Sequence, residues 1–130
     1  MNIEMYDENE ILKIIPEFFT SNEVKKELPY LQRKDRMWFV IKSGEDILAI
    51  GALKIGKTYA ELKHAYVYKK HRGNRLYPKL LVSRVKWCRE QGIKRVKVTT
   101  CNSKVTRKLQ ELNFAKIGQR GKYTQYEVEF

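Results

Sequence analysis

The segment VYKKHRGNRLYPKLL, residues 67–81, restricts the fold more than any other stretch of this 130-residue chain. A β-rich run ends at Tyr68, a short basic loop containing Gly73 follows, and an apolar helical pattern opens at Leu76. A strand that hands a glycine-bearing turn straight to a helix leaves the first backbone N–H groups of that helix without partners, beside the positive end of the helix dipole. Such a junction holds phosphate, and Arg72 and Arg75 add charge to it. The expectation is an α/β chain that grips a phosphorylated ligand.

Hydrophobic periodicity on either side fills in the order of elements. Residues 7–19 place Ile11, Ile14, Ile15, Phe18 and Phe19 on one helical face behind the N-cap candidate Asp7, with Pro16 placed to kink the pattern. Residues 21–32 read as a second helix starting at Ser21, with Pro29 ending or bending it. Residues 37–42 and 47–55 read as a hairpin with a bulge marked by Gly51, and residues 59–68 as the next strand. The helix from residue 76 to 91 buries Leu80, Leu81, Val85 and Cys88, carries Arg84 and Arg89 at its sides, and ends at Gly92. A strand over 95–100, a helix over 102–112 with Val105, Leu109 and Leu112 inward, and strands over 114–118 and 123–130 complete the chain. This order predicts one domain of mixed α/β (α+β) class, a largely antiparallel sheet flanked by helices.

Charge narrows the partners. The net charge is +12, yet residues 1–30 hold seven acids and three bases, whereas residues 62–110 hold fifteen Lys and Arg against the single acid Glu90. A field of that density repels itself and favours an anionic partner, so DNA or RNA bound through residues 62–110 is expected beside any phosphorylated ligand. Trp38, Tyr59, Tyr66 and Tyr68 are candidate stacking surfaces for bases. Cys88 and Cys101 lack metal-ligand spacing, so no metal is expected, and they read as reduced buried thiols. No segment approaches the ~20 apolar residues of a membrane span, and no apolar leader opens the chain, so a cytoplasmic protein without membrane contact is expected.

The chain resembles the GNAT superfamily of N-acyltransferases. The family's acyl-CoA signature, Arg/Gln-x-x-Gly-x-Gly/Ala after a strand and before a leucine-bearing helix, lies on Val67, Arg72, Gly73 and Leu80. The later segment TTCNSKVTRKLQELNF, residues 99–114, is similar to the family's second half through Asn102 and Phe114. Arg75 and Tyr77 stand where the signature has glycines, and Leu109 stands where many relatives carry a general-acid tyrosine. The resemblance implies acetyl-CoA or a related acyl-CoA as co-substrate, in a monomer or homodimer. It implies Arg72, Gly73, Asn74, Arg75, Leu76 and Tyr77 at the diphosphate, the strand backbone at Tyr66 and Val67 along the pantetheine arm, and Asn102 and Arg107 at the coenzyme.

Acyl transfer to an amine needs a base for the ammonium proton, donors for the oxyanion and an acid for the thiolate. Glu61 and His64, on the strand beside the loop, are the base candidates, and Tyr123, with Tyr126, stands in for the missing acid. With the charge distribution, the reading is an acyl-CoA-dependent N-acyltransferase. Its acceptor is nucleic-acid-associated, similar to GNAT toxins that acylate charged tRNA or to phage Mom-type DNA-modifying enzymes. The alternatives are a non-catalytic GNAT-fold nucleic-acid binder and an ordinary small-molecule or protein acetyltransferase.

Overall fold

The N-terminal residues alternate in character, Ile3 and Met5 against Glu4 and Tyr6, and they form strand β1 (Asn2–Tyr6), which the helical reading of the N-terminus passed over. The computed structural model describes all 130 residues. Asp7 caps helix α1 (Glu8–Ile14) through a capping box with Glu10. Pro16 does more than kink the following turn: it starts a separate 3-10 turn, Pro16–Phe19. The Ser21 hydroxyl caps α2 (Asn22–Glu27), which stops at Glu27 because Pro29 forbids its continuation. Strands β2 (Met37–Ser43), β3 (Asp46–Ile55) and β4 (Ala60–Val67) follow as a meander. The basic loop then leads to α3 (Leu76–Glu90), β5 (Arg95–Thr100), α4 (Thr106–Glu111), β6 (Ala115–Arg120) and β7 (Tyr123–Glu129).

The seven strands form one sheet in the order β1-β2-β3-β4-β5-β7-β6. Every pairing is antiparallel except β4 with β5, which α3 joins as a crossover. The sheet is covered on both faces. Ile11, Ile15, Phe18 and Val24 meet Trp38, Val40, Ile50 and Tyr66 on one face. Leu76, Leu80, Leu81, Val85, Cys88, Val105 and Leu109 pack on the other, against Phe39, Ile41, Leu53 and Leu62. Each such leucine or isoleucine, taken wholly from water, contributes about 1.5–3 kcal/mol. No helix is long and apolar enough to cross a membrane.

Two irregularities in β4 shape what lies beside it. Gly51 of β3 faces Ala65 and Ala52 faces Lys63, so His64 is an extra residue, a bulge with φ of +27°. The bulge changes the side toward which β4 points, for Leu62 packs under α3 while Tyr66 packs under α1 and α2. The pairing of β4 with β5 extends only over Ala60–Leu62 against Val96–Val98, after which the two strands diverge. The expectation that Arg84 lies at the side of its helix is overturned. Gly51 leaves room for it, since a Cβ there would lie 3.2 Å from the Arg84 guanidinium carbon. The guanidinium is buried and its Nη1 donates to the carbonyls of Ala52 at 3.0 Å and Lys63 at 2.9 Å, two groups beside the bulge.

Candidate active site

Where β4 and β5 diverge, two clefts open and meet. The larger, about 520 Å³, runs from Ala65, Tyr66 and Val67 past the basic loop to Asn102, Lys104, Val105 and Lys108. The smaller, about 240 Å³, lies between the turn after α2, the bulge and the end of β5, reaching His64, Arg84, Cys101 and Tyr123. Glu27, Ala65 and Tyr77 line both.

The loop lines the larger cleft with Arg72, Gly73 and Arg75 and offers it backbone donors. None of the N–H groups from Gly73 to Tyr77 donates within the chain, and no side chain caps α3. Gly73 and Arg75 both take positive φ, +88° and +57°, which curls this run of donors around one point. Lys104, Lys108 and Arg75 add positive charge to the walls. A diphosphate fits donors and charges so arranged.

Arg72 is placed differently from the expectation. Its Nη2 reaches both carboxylate oxygens of Glu27 at 2.9 and 2.8 Å, its Nε donates to the Val67 carbonyl at 2.8 Å, and its guanidinium lies over the Tyr66 ring. The side chain that was expected to face the phosphate instead ties α2 to the end of β4. The Asn74 side chain donates to the His71 carbonyl instead of reaching into the cleft. Arg107 points to solvent and pairs with Glu111, so Lys104 and Lys108 take the place expected for it. Asn102, Leu76, Val67 and Tyr77 do line the larger cleft. Tyr66 lines it too, although its ring is buried among Phe18, Tyr68 and Arg72.

The expected catalytic groups separate. Glu61 lines neither cleft, because it precedes the divergence, and its carboxylate is held by Lys63 Nζ at 2.6 Å. His64 lines the smaller cleft, stacked on Trp38, with its Nε2 accepting the Gln32 N–H at 3.2 Å. Burial, with the charge of Arg36 next, lowers its pKa to about 4, so its free lone pair is spent and it stays neutral. Tyr123 lines the smaller cleft only, and Tyr126 is buried with its hydroxyl 3.4 Å from Thr106 Oγ1. Leu109 is wholly buried in the core.

Two further expectations are corrected. Cys101 is exposed at the smaller cleft rather than buried. Trp38 and Tyr66 are enclosed and offer no stacking face, and the Tyr59 ring lies under Lys97. Glu27 carried no signal in the sequence, since its contact with Arg72 spans 45 residues. It is the only carboxylate in either cleft. No group of three or more His, Cys, Asp or Glu side chains is placed to hold a metal ion.

Residues 5–114 match the model of the acetyltransferase (GNAT) family. No curated protein matches the chain in sequence. Among solved structures, an IAA acetyltransferase from Bacillus cereus is similar with a TM-score of 0.72 and 17% identity, covering 99% of each chain. A PaiA N-acetyltransferase from Thermoplasma acidophilum, in complex with coenzyme A, gives 0.67 and 15% over 100% of both chains. The N-acetyltransferase PseH of Campylobacter jejuni gives 0.68 and 15%, covering 98% of this chain and 97% of its own. At these identities the likeness is one of fold.

Proposed function

Because the chain belongs to the acetyltransferase (GNAT) family, we propose that its two clefts divide one reaction, with acyl-CoA in the larger and the acceptor amine in the smaller. The observation that carries this reading is the divergence of β4 from β5, which joins the clefts at Ala65, Tyr77 and Glu27 while the loop above keeps five N–H donors free. The diphosphate sits on the N–H groups of Gly73 to Tyr77, and Arg75, Lys104 and Lys108 face the coenzyme's phosphates. The acyl group reaches the junction along the backbone of Ala65–Val67. Glu27, the only carboxylate that lines both clefts, receives the ammonium proton, directly or through water, on the oxygen lone pairs that its contact with Arg72 leaves open. Acetyl-CoA is the acyl donor of this reading, as coenzyme A is the ligand of the Thermoplasma acidophilum relative.

Calorimetry with coenzyme A and thiol release from acetyl-CoA test the reading together. Micromolar binding with thiol release is expected, and Glu27→Gln is expected to slow release by ~100-fold while binding is kept. No heat with coenzyme A at millimolar concentration overturns it.

A second reading gives the acceptor amine to DNA or RNA. It is favoured by Lys79 and Lys86, which make no ion pair and line a shallow groove along α3 together with Lys108.

A further inference from the structure

The acyl-transfer reading, on which this inference rests, assigns the proton that leaves the amine but not the one that the departing thiolate takes. Leu109 has no proton to give and is enclosed in the core. Tyr126 lines neither cleft, and Tyr123 lines only the acceptor side. His64 keeps its Nε2 lone pair on the Gln32 N–H.

The group must stand where donor and acceptor meet, and of the three residues that line both clefts Tyr77 alone has a hydroxyl. It occupies a glycine position of the coenzyme signature in the first turn of α3, where its half-buried ring packs against the core and lines the junction. Its hydroxyl is held by no hydrogen bond within the chain. Burial pushes the phenol above its ordinary value and Cys101 adds to this, while the charge of Arg84 acts the other way, so the hydroxyl is protonated at neutral pH.

Arg84 follows seven residues later on the same helix, two turns on and so on the same face. It is 2% exposed, no carboxylate pairs with it, and it lines the smaller cleft. Nη1 and Nε are satisfied by carbonyls, whereas Nη2 has no partner. A buried cation without a counter-ion is costly, and an anion forming next to it is stabilised.

We propose that Tyr77 is the general acid of the transfer, with Arg84 as the cation that stabilises its conjugate base. As the tetrahedral intermediate collapses, the carbon–sulfur bond breaks and its electron pair goes to sulfur. The Tyr77 O–H proton passes to that sulfur, giving the free thiol of coenzyme A and a phenolate beside Arg84. The phenolate regains a proton from water in the open cleft, replacing the one the amine gave up. The acid then stands in the first turn of α3 rather than at Leu109 on α4.

The test uses the full chain, acetyl-CoA as donor and hydroxylamine as a small generic acceptor, with thiol release as the rate and calorimetry with coenzyme A as the affinity. Tyr77→Phe keeps the ring and removes only the hydroxyl. The expected result is a fall in kcat of ~100-fold with coenzyme affinity changed less than ~2-fold. A melting curve checks that the variant is folded. A variant that keeps kcat overturns the proposal and leaves the acyl-transfer reading standing. Affinity falling in parallel with rate makes Tyr77 a coenzyme contact and also overturns it. A wild-type chain that binds no coenzyme A, or binds it and releases no thiol, overturns the acyl-transfer reading and the role of Tyr77 with it.

Discussion

His64 is the residue on which the local geometry of β4 turns. It holds a positive φ of +27°, which a histidine adopts at a cost, and three contacts keep it there: the ladder on either side, the Gln32 N–H and the Trp38 ring. Burial makes it a neutral imidazole in the fold, with a pKa lowered from 6.5 to about 4. Between those two values the unfolded chain binds a proton that the folded chain refuses. Stability contributed by the neutral ring is therefore intact above pH ~6.5 and is lost as pH falls toward 4. Asparagine tolerates positive φ, offers an acceptor to Gln32 and does not titrate. His64→Asn is expected to lose less stability than the wild type between pH 6.5 and 4, read as urea midpoints at each pH. Parallel pH profiles for the two proteins would rule out the buried neutral imidazole.

At the scale of the element, the loop before α3 keeps the geometry of a glycine-rich turn with Gly73 as its one glycine. Arg75 holds φ of +57° at the N-cap of α3, a left-handed conformation that costs a side-chain-bearing residue roughly 1–2 kcal/mol. Arg75→Gly relieves that cost and Arg75→Ala does not, while both remove the same charge. The glycine variant is expected to be more stable than the alanine variant by about 1 kcal/mol in denaturant titration; equal midpoints would remove the strain. The strand-loop-helix order was legible here because periodicity changes from two to three and a half residues across it, and the burial of Leu80, Leu81 and Cys88 follows from that pattern. What was not legible depends on distant partners. β1 is five residues long and exists by pairing with β2 some 35 residues away. Arg84 looked like one more surface cation until Gly51, on another strand, supplied its space. Arg72 looked free until α2 delivered Glu27 to it, and the same contact brought the only carboxylate into the clefts.

Across the whole molecule the charge asymmetry is partly resolved by folding. The acidic N-terminal residues lie over the loop, where Glu23 takes Lys69 and Glu27 takes Arg72. Glu61, Glu127 and Glu111 take Lys63, Arg95 and the pair Arg107 and Lys108. These exposed or half-exposed pairs add little to stability, about 0–1 kcal/mol each, yet they reduce the field that a polyanion would meet. Among the cations left without a carboxylate are Arg75 and Lys104 on the walls of the larger cleft and Lys79 and Lys86 along the outer groove of α3, with Lys70, Arg89, Lys94 and Lys97 elsewhere in residues 62–110. A nucleic-acid acceptor would use cations outside the cleft, the pair along α3 first among them because it shares one groove, since the cleft cations serve the coenzyme in the proposed reading. Two or three phosphate contacts release about as many counterions, so log K against log salt is expected to have a slope of roughly −2 to −3. The double change Lys79→Gln and Lys86→Gln should remove about two from that slope and leave coenzyme A affinity unaltered. Filter binding of labelled duplex DNA and of tRNA over 50–200 mM salt reads both quantities. A salt-independent affinity, or a slope that the double variant does not change, separates the basic surface from any nucleic acid and leaves a small-molecule or protein amine as the acceptor.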